Sequence, residues 1–131
     1  MSLEGECFCR AIRYRINGLL IEPRCYHCSR RRKSFSGSGS AYAEVTANEF
    51  PWLRGEADLA IYSSTKRFSL GFCRLCGSTL CGLLDGEIHG ITLGTLDGEP
   101  GVVIEKHIFV GFKIDWDIIG DKAPQFPADA L

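Results

Sequence analysis

Four cysteines in two close pairs have the spacing of zinc ligands. Cys73 and Cys76 are three positions apart, and Gly77 after them lets the backbone turn with positive φ. Cys7 and Cys9 supply a second pair, because side chains at i and i+2 leave a strand on the same face. Four thiolates complete a closed tetrahedron at about 2.3 Å from zinc. The sequence therefore predicts one structural zinc ion on these four cysteines, with no open position for catalysis.

The cysteines of this predicted site, and the residues beside them, also have other interpretations. A CxxC pair also occurs in redox proteins, but that use accompanies a βαβ pattern, whereas hairpin patterns surround this one. Cys7 and Cys9 are also compatible with small buried residues, since free cysteine packs as an ordinary hydrophobe. Arg10 and Arg74 stand next to ligands, either as partners of the thiolates or as solvated arginines. Cys81 is expected to pack in the core.

A second group of reactive residues lies between positions 25 and 33. Two thiols, Cys25 and Cys28, stand before a run of four cations, Arg30, Arg31, Arg32 and Lys33. Cations beside a cysteine stabilise its thiolate and lower its pKa, so either thiol is a candidate nucleophile without a metal. The alternative is a solvated basic loop beside an inert cysteine. By contrast, we interpret His89 and His107 as histidines on a strand face rather than ligands.

Composition excludes several classes of protein. The chain has 131 residues, of which 45% are hydrophobic and 24% charged, as in an ordinary globular domain. A formal net charge of -1 gives no global attraction to nucleic acid or to an anionic membrane. We find neither a signal peptide nor a run of roughly 20 apolar residues. We therefore expect one cytoplasmic domain over residues 1–131, in which seven cysteines favour metal or thiol chemistry over disulfides.

Short segments of alternating polarity predict β-strands. In residues 10–16, Ile12, Tyr14 and Ile16 share one face. The dipeptide at positions 85 and 86, Asp-Gly, favours a two-residue hairpin turn, because both positions need positive φ. That turn joins predicted strands over 78–84 and 87–93. Further strands are predicted over 41–45, 57–62, 66–72 and 107–112.

Little in the chain predicts helix. The segment 46–49 has capping-box spacing, but Pro51 limits it to a single turn. The segment 34–40 is rich in glycine and serine, and 121–131 contains proline, so both are predicted to be irregular. The sequence therefore predicts an all-β single domain, with stacked short antiparallel sheets around the four-cysteine zinc site.

Together these motifs resemble the glutathione-dependent formaldehyde-activating enzyme family, which also includes centromere protein V. The resemblance implies stacked antiparallel sheets with a structural zinc ion on the same four cysteines. It also implies a carbon–sulfur lyase that acts on adducts of glutathione and formaldehyde. The segments that carry it are 5–14, 27–29, 32–33, 72–80, 107–110, Lys113, Trp116 and 124–126.

The resemblance further implies a second zinc ion, and here the chain departs from the family. In the family, three thiolates of a Cys-His-Cys-Ser-x-Cys-Arg stretch hold this ion where glutathione and substrate meet. Tyr26 and Arg31 replace the first and third thiolates, and Cys28 keeps the middle position. Arginine offers no lone pair and repels a divalent cation. Cys25 and His27 offer further ligand atoms nearby. We predict that this second site is empty or weakly occupied.

Three functions fit these residues. The first is an enzyme that adds formaldehyde to glutathione, with Cys28 and Cys25 as catalytic residues and the cations Arg31, Arg32 and Lys33 contacting glutathione carboxylates. The second is a non-catalytic, zinc-stabilised module that binds a small thiol or a protein. The third is a phosphate contact to nucleic acid through the cationic run, which the net charge of -1 disfavours.

Overall fold

The computed structural model describes residues 2–129, whose strands form two sheets, and it confirms the predicted β architecture with one helix added. Among these residues there is one α-helix, α1, Ser29–Phe35. Short 3₁₀ turns lie at Ala47–Glu49, Glu56–Asp58, Leu93–Thr95 and Val110–Phe112. The strands are β1 Leu3–Glu6, β2 Arg13–Ile16, β3 Ile21–Tyr26, β4 Ser40–Glu44, β5 Trp52–Arg54, β6 Leu59–Ser63, β7 Phe68–Cys73, β8 Thr79–Leu84, β9 Glu87–Thr92 and β10 Lys106–Ile108.

The chain divides into two compact units. The first combines Met1–Ile21 with Ala43–Gly101, and the second combines Glu22–Tyr42 with Val102–Leu131. Within residues 2–129, no helix is long and apolar enough to cross a membrane. The assignment of residues 1–131 to a single domain stays a prediction.

The first unit is built from antiparallel pairs. In one sheet β2 lies between β1 and β5. The strands from β6 to β9 pair in succession, each antiparallel to the next. The turn between β8 and β9 has φ 51 at Asp85 and φ 84 at Gly86, which confirms the predicted Asp-Gly hairpin. Because these connections are short, the two halves of the four-cysteine site are set by local turns.

The core of the first unit follows the predicted alternation. Tyr14 and Ile16 are fully buried on one face of β2, as is Ile12 directly before the strand. The Tyr14 ring stacks on Phe50 at a centroid distance of 5.0 Å, and its hydroxyl shares a 2.7 Å hydrogen bond with Thr95. Burial of such rings supplies much of the hydrophobic stabilisation. The other core members are Cys7, Val45, Cys73, Leu80, Cys81 and Ile91.

In the second unit β3 and β10 pair in parallel, unlike the predicted antiparallel pairs. Cys25 lies opposite His107 in this register. A parallel pair needs a long connection, which the alternating pattern of short strands does not reveal. The predicted strand over 107–112 is also shorter, because Phe109 adopts φ 57 and a 3₁₀ turn follows.

Helix α1 is not predicted from the sequence, and neither are strands β1, β3 and β5. Arginine and lysine are good helix formers, so the cationic run continues as helix rather than as a basic loop. The Arg32 N–H donates to the Cys28 carbonyl at 3.0 Å, which forms the first turn. Ser36 ends the helix with φ 56 in the left-handed region. Part of the segment 34–40, predicted to be a loop, is therefore helical.

Candidate metal centres

Cys7 and Cys9 lie in the turn after β1, not within a strand as the sequence analysis assumed. Arg10 adopts φ 68, and its N–H donates to the Cys7 carbonyl at 3.0 Å. The Cys7 N–H donates in turn to the Ile12 carbonyl at 3.1 Å. The turn, rather than strand alternation, therefore brings the two thiols to one side.

Cys73 and Cys76 occupy a matching turn at the end of β7. The Gly77 N–H donates to the Cys73 carbonyl at 2.8 Å, and the Cys73 N–H donates to the Ser78 carbonyl at 2.9 Å. Gly77 has φ 83, the left-handed conformation that its position after the second thiol predicted. The two turns are joined by the Phe8 N–H, which donates to the Ser78 hydroxyl at 2.9 Å.

The four sulfur atoms have the separations of a tetrahedral thiolate site. The Sγ atoms of Cys7 and Cys9 are 3.7 Å apart, as are those of Cys9 and Cys73. All four Sγ atoms, including that of Cys76, lie within 4.8 Å of one another. Four sulfurs at about 2.3 Å from one ion lie roughly 3.8 Å apart. The structure therefore brings the four predicted ligands into an arrangement that fits a zinc ion.

Hydrogen-bond donors face these sulfurs. The Ile12 N–H donates to Cys7 Sγ at 3.3 Å, and the Ser78 hydroxyl lies 3.2 Å from Cys76 Sγ. Burial opposes ionisation of Cys76, but the hydrogen bonds from Ser78 and from the Cys9 backbone lower its pKa to about 6. A thiol with a lowered pKa offers a metal-binding thiolate near neutrality.

The two arginines beside the ligands are paired with carboxylates. Arg10 lies 3.5 Å from Glu6, and Arg74 lies 2.6 Å from Asp58. Their predicted contact with the thiolates stays a prediction. Cys81 is fully buried in the core, as predicted, and burial raises the pKa of its thiol to about 12.

A second group of ligand atoms lies in the second unit, on Cys25, His27 and His107. The Cys25 Sγ and one ring nitrogen of each histidine lie within 4.8 Å of one another. Cys25 and His27 are two residues apart, and the parallel register places His107 opposite Cys25. His107 was expected to be an ordinary strand-face histidine, and the structure places it instead in this cluster. No local spacing signals the grouping, because 80 positions separate the two histidines.

Two carboxylates face the paired imidazoles. His27 Nε2 lies 2.8 Å from His107 Nδ1, and His107 Nε2 lies 2.9 Å from an Asp121 carboxylate oxygen. His27 Nδ1 lies 3.7 Å from an Asp117 oxygen and has no hydrogen-bond partner among residues 2–129. Burial, with the charge of His107, lowers the pKa of His27. The hydrogen bond from His107 lowers the pKa of Asp121.

The two predicted catalytic thiols lie in different surroundings. Burial, together with the charges of Asp121 and Asp117, raises the pKa of Cys25 to about 11. This direction is opposite to the predicted lowering by the arginine run. Cys28 precedes helix α1 and is not one of the three clustered ligand residues. The catalytic assignments of Cys25 and Cys28 stay predictions.

Tyr26 on β3 and Arg31 in α1, where the family resemblance implies thiolates for a second zinc ion, form a stacked pair. The Arg31 guanidinium carbon lies 4.5 Å from the ring centroid of Tyr26, within the range of a cation–π contact. The same carbon lies 5.9 Å from the ring centroid of the buried Tyr42. A phenol and a packed guanidinium do not fit a zinc ion that needs thiolates at those two positions. Arg32 is half-buried and Lys33 is exposed.

Comparison with known proteins gives the family. A sequence model described as glutathione-dependent formaldehyde-activating enzyme matches residues 2–111. The chain belongs to the glutathione-dependent formaldehyde-activating enzyme family. A crystal structure of a Rhodobacter sphaeroides protein shares the fold with a TM-score of 0.58 and 22% sequence identity, covering 93% of this chain and 98% of the other. No curated protein matches significantly.

The segment that matches the family includes the ligand residues of the second cluster but not the two carboxylates beside them. In this chain, the four cysteines of the first centre lie within the segment that matches the family, as do Cys25, His27 and His107. Asp117 and Asp121 lie beyond residue 111, so these two carboxylates are outside the matched segment.

Proposed function

We propose that this protein is a zinc protein that forms and cleaves the adduct between glutathione and formaldehyde. The observation that carries the proposal is the family match over residues 2–111. The four-thiolate centre is consistent with it, because soft, tetrahedral sulfur ligands favour zinc.

In this proposal the zinc ion on the four cysteines is structural. It would link the turn after β1 to the turn after β7. Its four positions would all be occupied by thiolates, so it would stabilise the fold and bind no substrate. The chemistry therefore belongs to the second unit, where the reactive residues outside this centre lie.

The proposed reaction makes or breaks one carbon–sulfur bond. The sulfur of glutathione adds to the carbonyl carbon of formaldehyde, and the thiol proton moves to the carbonyl oxygen. Cleavage of the adduct reverses both changes. We assign Arg32 and Lys33 to the glutathione carboxylates, with Arg31 contributing less because its guanidinium stacks on Tyr26. Cys28 is the stronger catalytic candidate, since Cys25 with a pKa of about 11 is protonated near neutrality.

A non-catalytic module that binds a small thiol or a protein is the second candidate. The stack of Arg31 on Tyr26 favours it, because this pair occupies the positions where thiolates would hold a second zinc ion. In this case glutathione would bind with no acceleration of adduct formation.

We also propose a cytoplasmic location. All seven cysteines are free thiols in the structure, and free thiols persist in reducing compartments. Glutathione is abundant in the same compartments, which makes it an accessible partner.

Exchange of ¹³C-labelled formaldehyde with its glutathione adduct, followed by NMR, separates the two candidates. The enzyme predicts accelerated exchange that falls on the order of a hundredfold in Cys28→Ser, the low end of what a group acting in the transition state contributes. Cys81→Ala is the matched control, since that thiol is buried in the first unit and should leave exchange unchanged. Exchange at the uncatalysed rate, with glutathione still bound, would support the module instead.

A further inference from the structure

Of the two buried histidines of the second unit, one has its ring proton assigned by a carboxylate. Asp121 accepts from His107 Nε2, with oxygens at 2.9 and 3.0 Å. This contact places the ring proton on Nε2 and leaves a lone pair on Nδ1. The His107 lone pair therefore points to His27, whose Nε2 is 2.8 Å away.

In neutral His27, neither position of the ring proton satisfies both ring nitrogens. If its proton is on Nε2, it donates to His107, but the Nδ1 lone pair then faces the Asp117 carboxylate at 3.7 Å with no donor among residues 2–129. If the proton is on Nδ1, it faces Asp117, but two nitrogen lone pairs then oppose each other at 2.8 Å. His27 is only 4% exposed, so water does not easily relieve either arrangement.

We propose that a divalent transition-metal cation such as zinc binds between these lone pairs, held by His27 Nε2, His107 Nδ1 and Cys25 Sγ. With the cation in place, both imidazoles keep their protons on the outer nitrogens, directed at Asp117 and Asp121. A ligating histidine whose other nitrogen donates to a carboxylate is the common arrangement in zinc sites.

To hold a metal ion, the two facing imidazole nitrogens must move slightly apart from their present 2.8 Å. Two nitrogens at about 2.0–2.1 Å from a tetrahedral ion lie roughly 3.3 Å apart, so the imidazoles must separate by about half an ångström. The Cys25 Sγ already lies within 4.8 Å of one ring nitrogen of each histidine. The parallel register fixes Cys25 of β3 beside His107 of β10, and His27 directly follows the end of β3.

The ligand set also defines the kind of site. One sulfur and two imidazole nitrogens suit zinc and neighbouring transition metals rather than magnesium or calcium. Three protein ligands leave a fourth position for water or an external thiolate, whereas the four-cysteine centre is closed. The site differs from the thiolate site that the family resemblance places at 26, 28 and 31, and it does not depend on the proposed carbon–sulfur chemistry.

Metal content of the full chain, purified without chelator and supplied with zinc, tests the proposal. Elemental analysis should give two zinc ions per chain in the wild type. His107→Gln and Cys25→Ser should each give one. His89→Gln is the matched control, because His89 lies on β9 in the first unit, and it should keep two.

Cobalt substitution identifies the ligands independently of stoichiometry. Cobalt in the wild type should show sulfur-to-metal charge transfer from both sites, and Cys25→Ser should remove one part of that absorption. Asp121→Asn should weaken zinc at the second site by 10- to 100-fold in chelator competition, because Asp121 positions His107 without touching the ion.

One zinc ion per wild-type chain at saturating zinc would overturn the proposal, and a shared proton would then join the two histidines. Equal zinc content in the wild type, His107→Gln and Cys25→Ser would overturn it as well. Circular dichroism of each variant shows whether it is folded, and the wild-type measurement decides even if a variant unfolds. These experiments measure metal binding and not adduct exchange. A failure of the proposed metal site can therefore be distinguished from a failure of the proposed function.

Discussion

Gly77 shows how one residue sets the geometry of the four-cysteine centre. Its φ of 83 lies in the left-handed region, where an L side chain meets its own backbone. A β-carbon added at Gly77 would contact nothing within 4 Å, so the backbone conformation alone opposes substitution. This φ allows the turn to direct the thiols of Cys73 and Cys76 toward one ion.

Gly77→Ala should lower the free energy of unfolding of the zinc-loaded protein by about 1 kcal/mol, the strain of a left-handed alanine. Gly94→Ala is the matched control, because Gly94 also has open space around it but does not have positive φ. That variant should be neutral or stabilising by about 0.5 kcal/mol. Urea denaturation measures both, and equal effects of the two substitutions would contradict the explanation.

Cys25 shows that proximity in sequence does not fix the electrostatics of a thiol. The cationic run after Cys28 predicts a lowered pKa, yet burial and the carboxylates of Asp121 and Asp117 raise that of Cys25 to about 11. These carboxylates are about ninety residues away in sequence, and only the fold brings them near. The sequence therefore identifies the reactive atom but not its protonation.

At the scale of elements, the four-cysteine centre is made by two turns held together by Ser78. The Ser78 hydroxyl accepts from the Phe8 N–H at 2.9 Å and lies 3.2 Å from Cys76 Sγ. One side chain thereby connects the turn after β1 with the turn after β7. This bridge is invisible in the sequence, where 70 positions separate Phe8 from Ser78.

Ser78→Ala should weaken zinc binding at the four-cysteine centre by about tenfold, the low end for residues that orient metal ligands. Ser63→Ala provides the control, since Ser63 is exposed on β6 and bonds to Ser69. Competition with a chromophoric chelator measures both affinities. An unchanged affinity in Ser78→Ala would show that the two turns form the site without this bridge.

The sequence predicts those elements whose signals are local. The buried face of β2 and the turn at Asp85 and Gly86 depend on periodicity and turn chemistry, and both are confirmed. The cysteine spacing predicts the four thiols that the structure brings within 4.8 Å of one another, and their role as zinc ligands stays a prediction. Helix α1 was missed because a short cationic segment has no apolar periodicity to mark it.

The second cluster depends on topology instead of spacing. His107 meets Cys25 only because β10 pairs in parallel with β3, and no property of either strand's sequence determines that pairing. The carboxylates that orient the histidines follow later still, at Asp117 and Asp121. The sequence could therefore indicate Cys25 and His27 as possible ligand residues, but it could not indicate that His107 joins them.

For the whole molecule, zinc on the four cysteines would act as a cross-link between distant parts of the first unit. Cys9 and Cys73 are 64 positions apart. Closing a loop of this length reduces the entropy of the unfolded chain, by about 4 kcal/mol in the relation used for disulfides. Zinc affinity would therefore contribute directly to folding free energy.

Chelation of zinc should consequently destabilise the first unit. We expect amide hydrogen exchange to accelerate by orders of magnitude in β1, β2, β7 and β8, and zinc to restore protection. A non-binding analogue of the chelator serves as the control. Unchanged protection in metal-free protein, verified by elemental analysis, would mean that the hydrophobic core alone holds this unit together.

Four thiolates are proposed to hold one zinc ion in the first unit. X-ray absorption at the zinc edge tests it most directly, in the His107→Gln variant, where the proposed second site is disabled. We expect four sulfur neighbours at about 2.3 Å from zinc. Nitrogen or oxygen neighbours at about 2.0–2.1 Å among the atoms bound to zinc would contradict it.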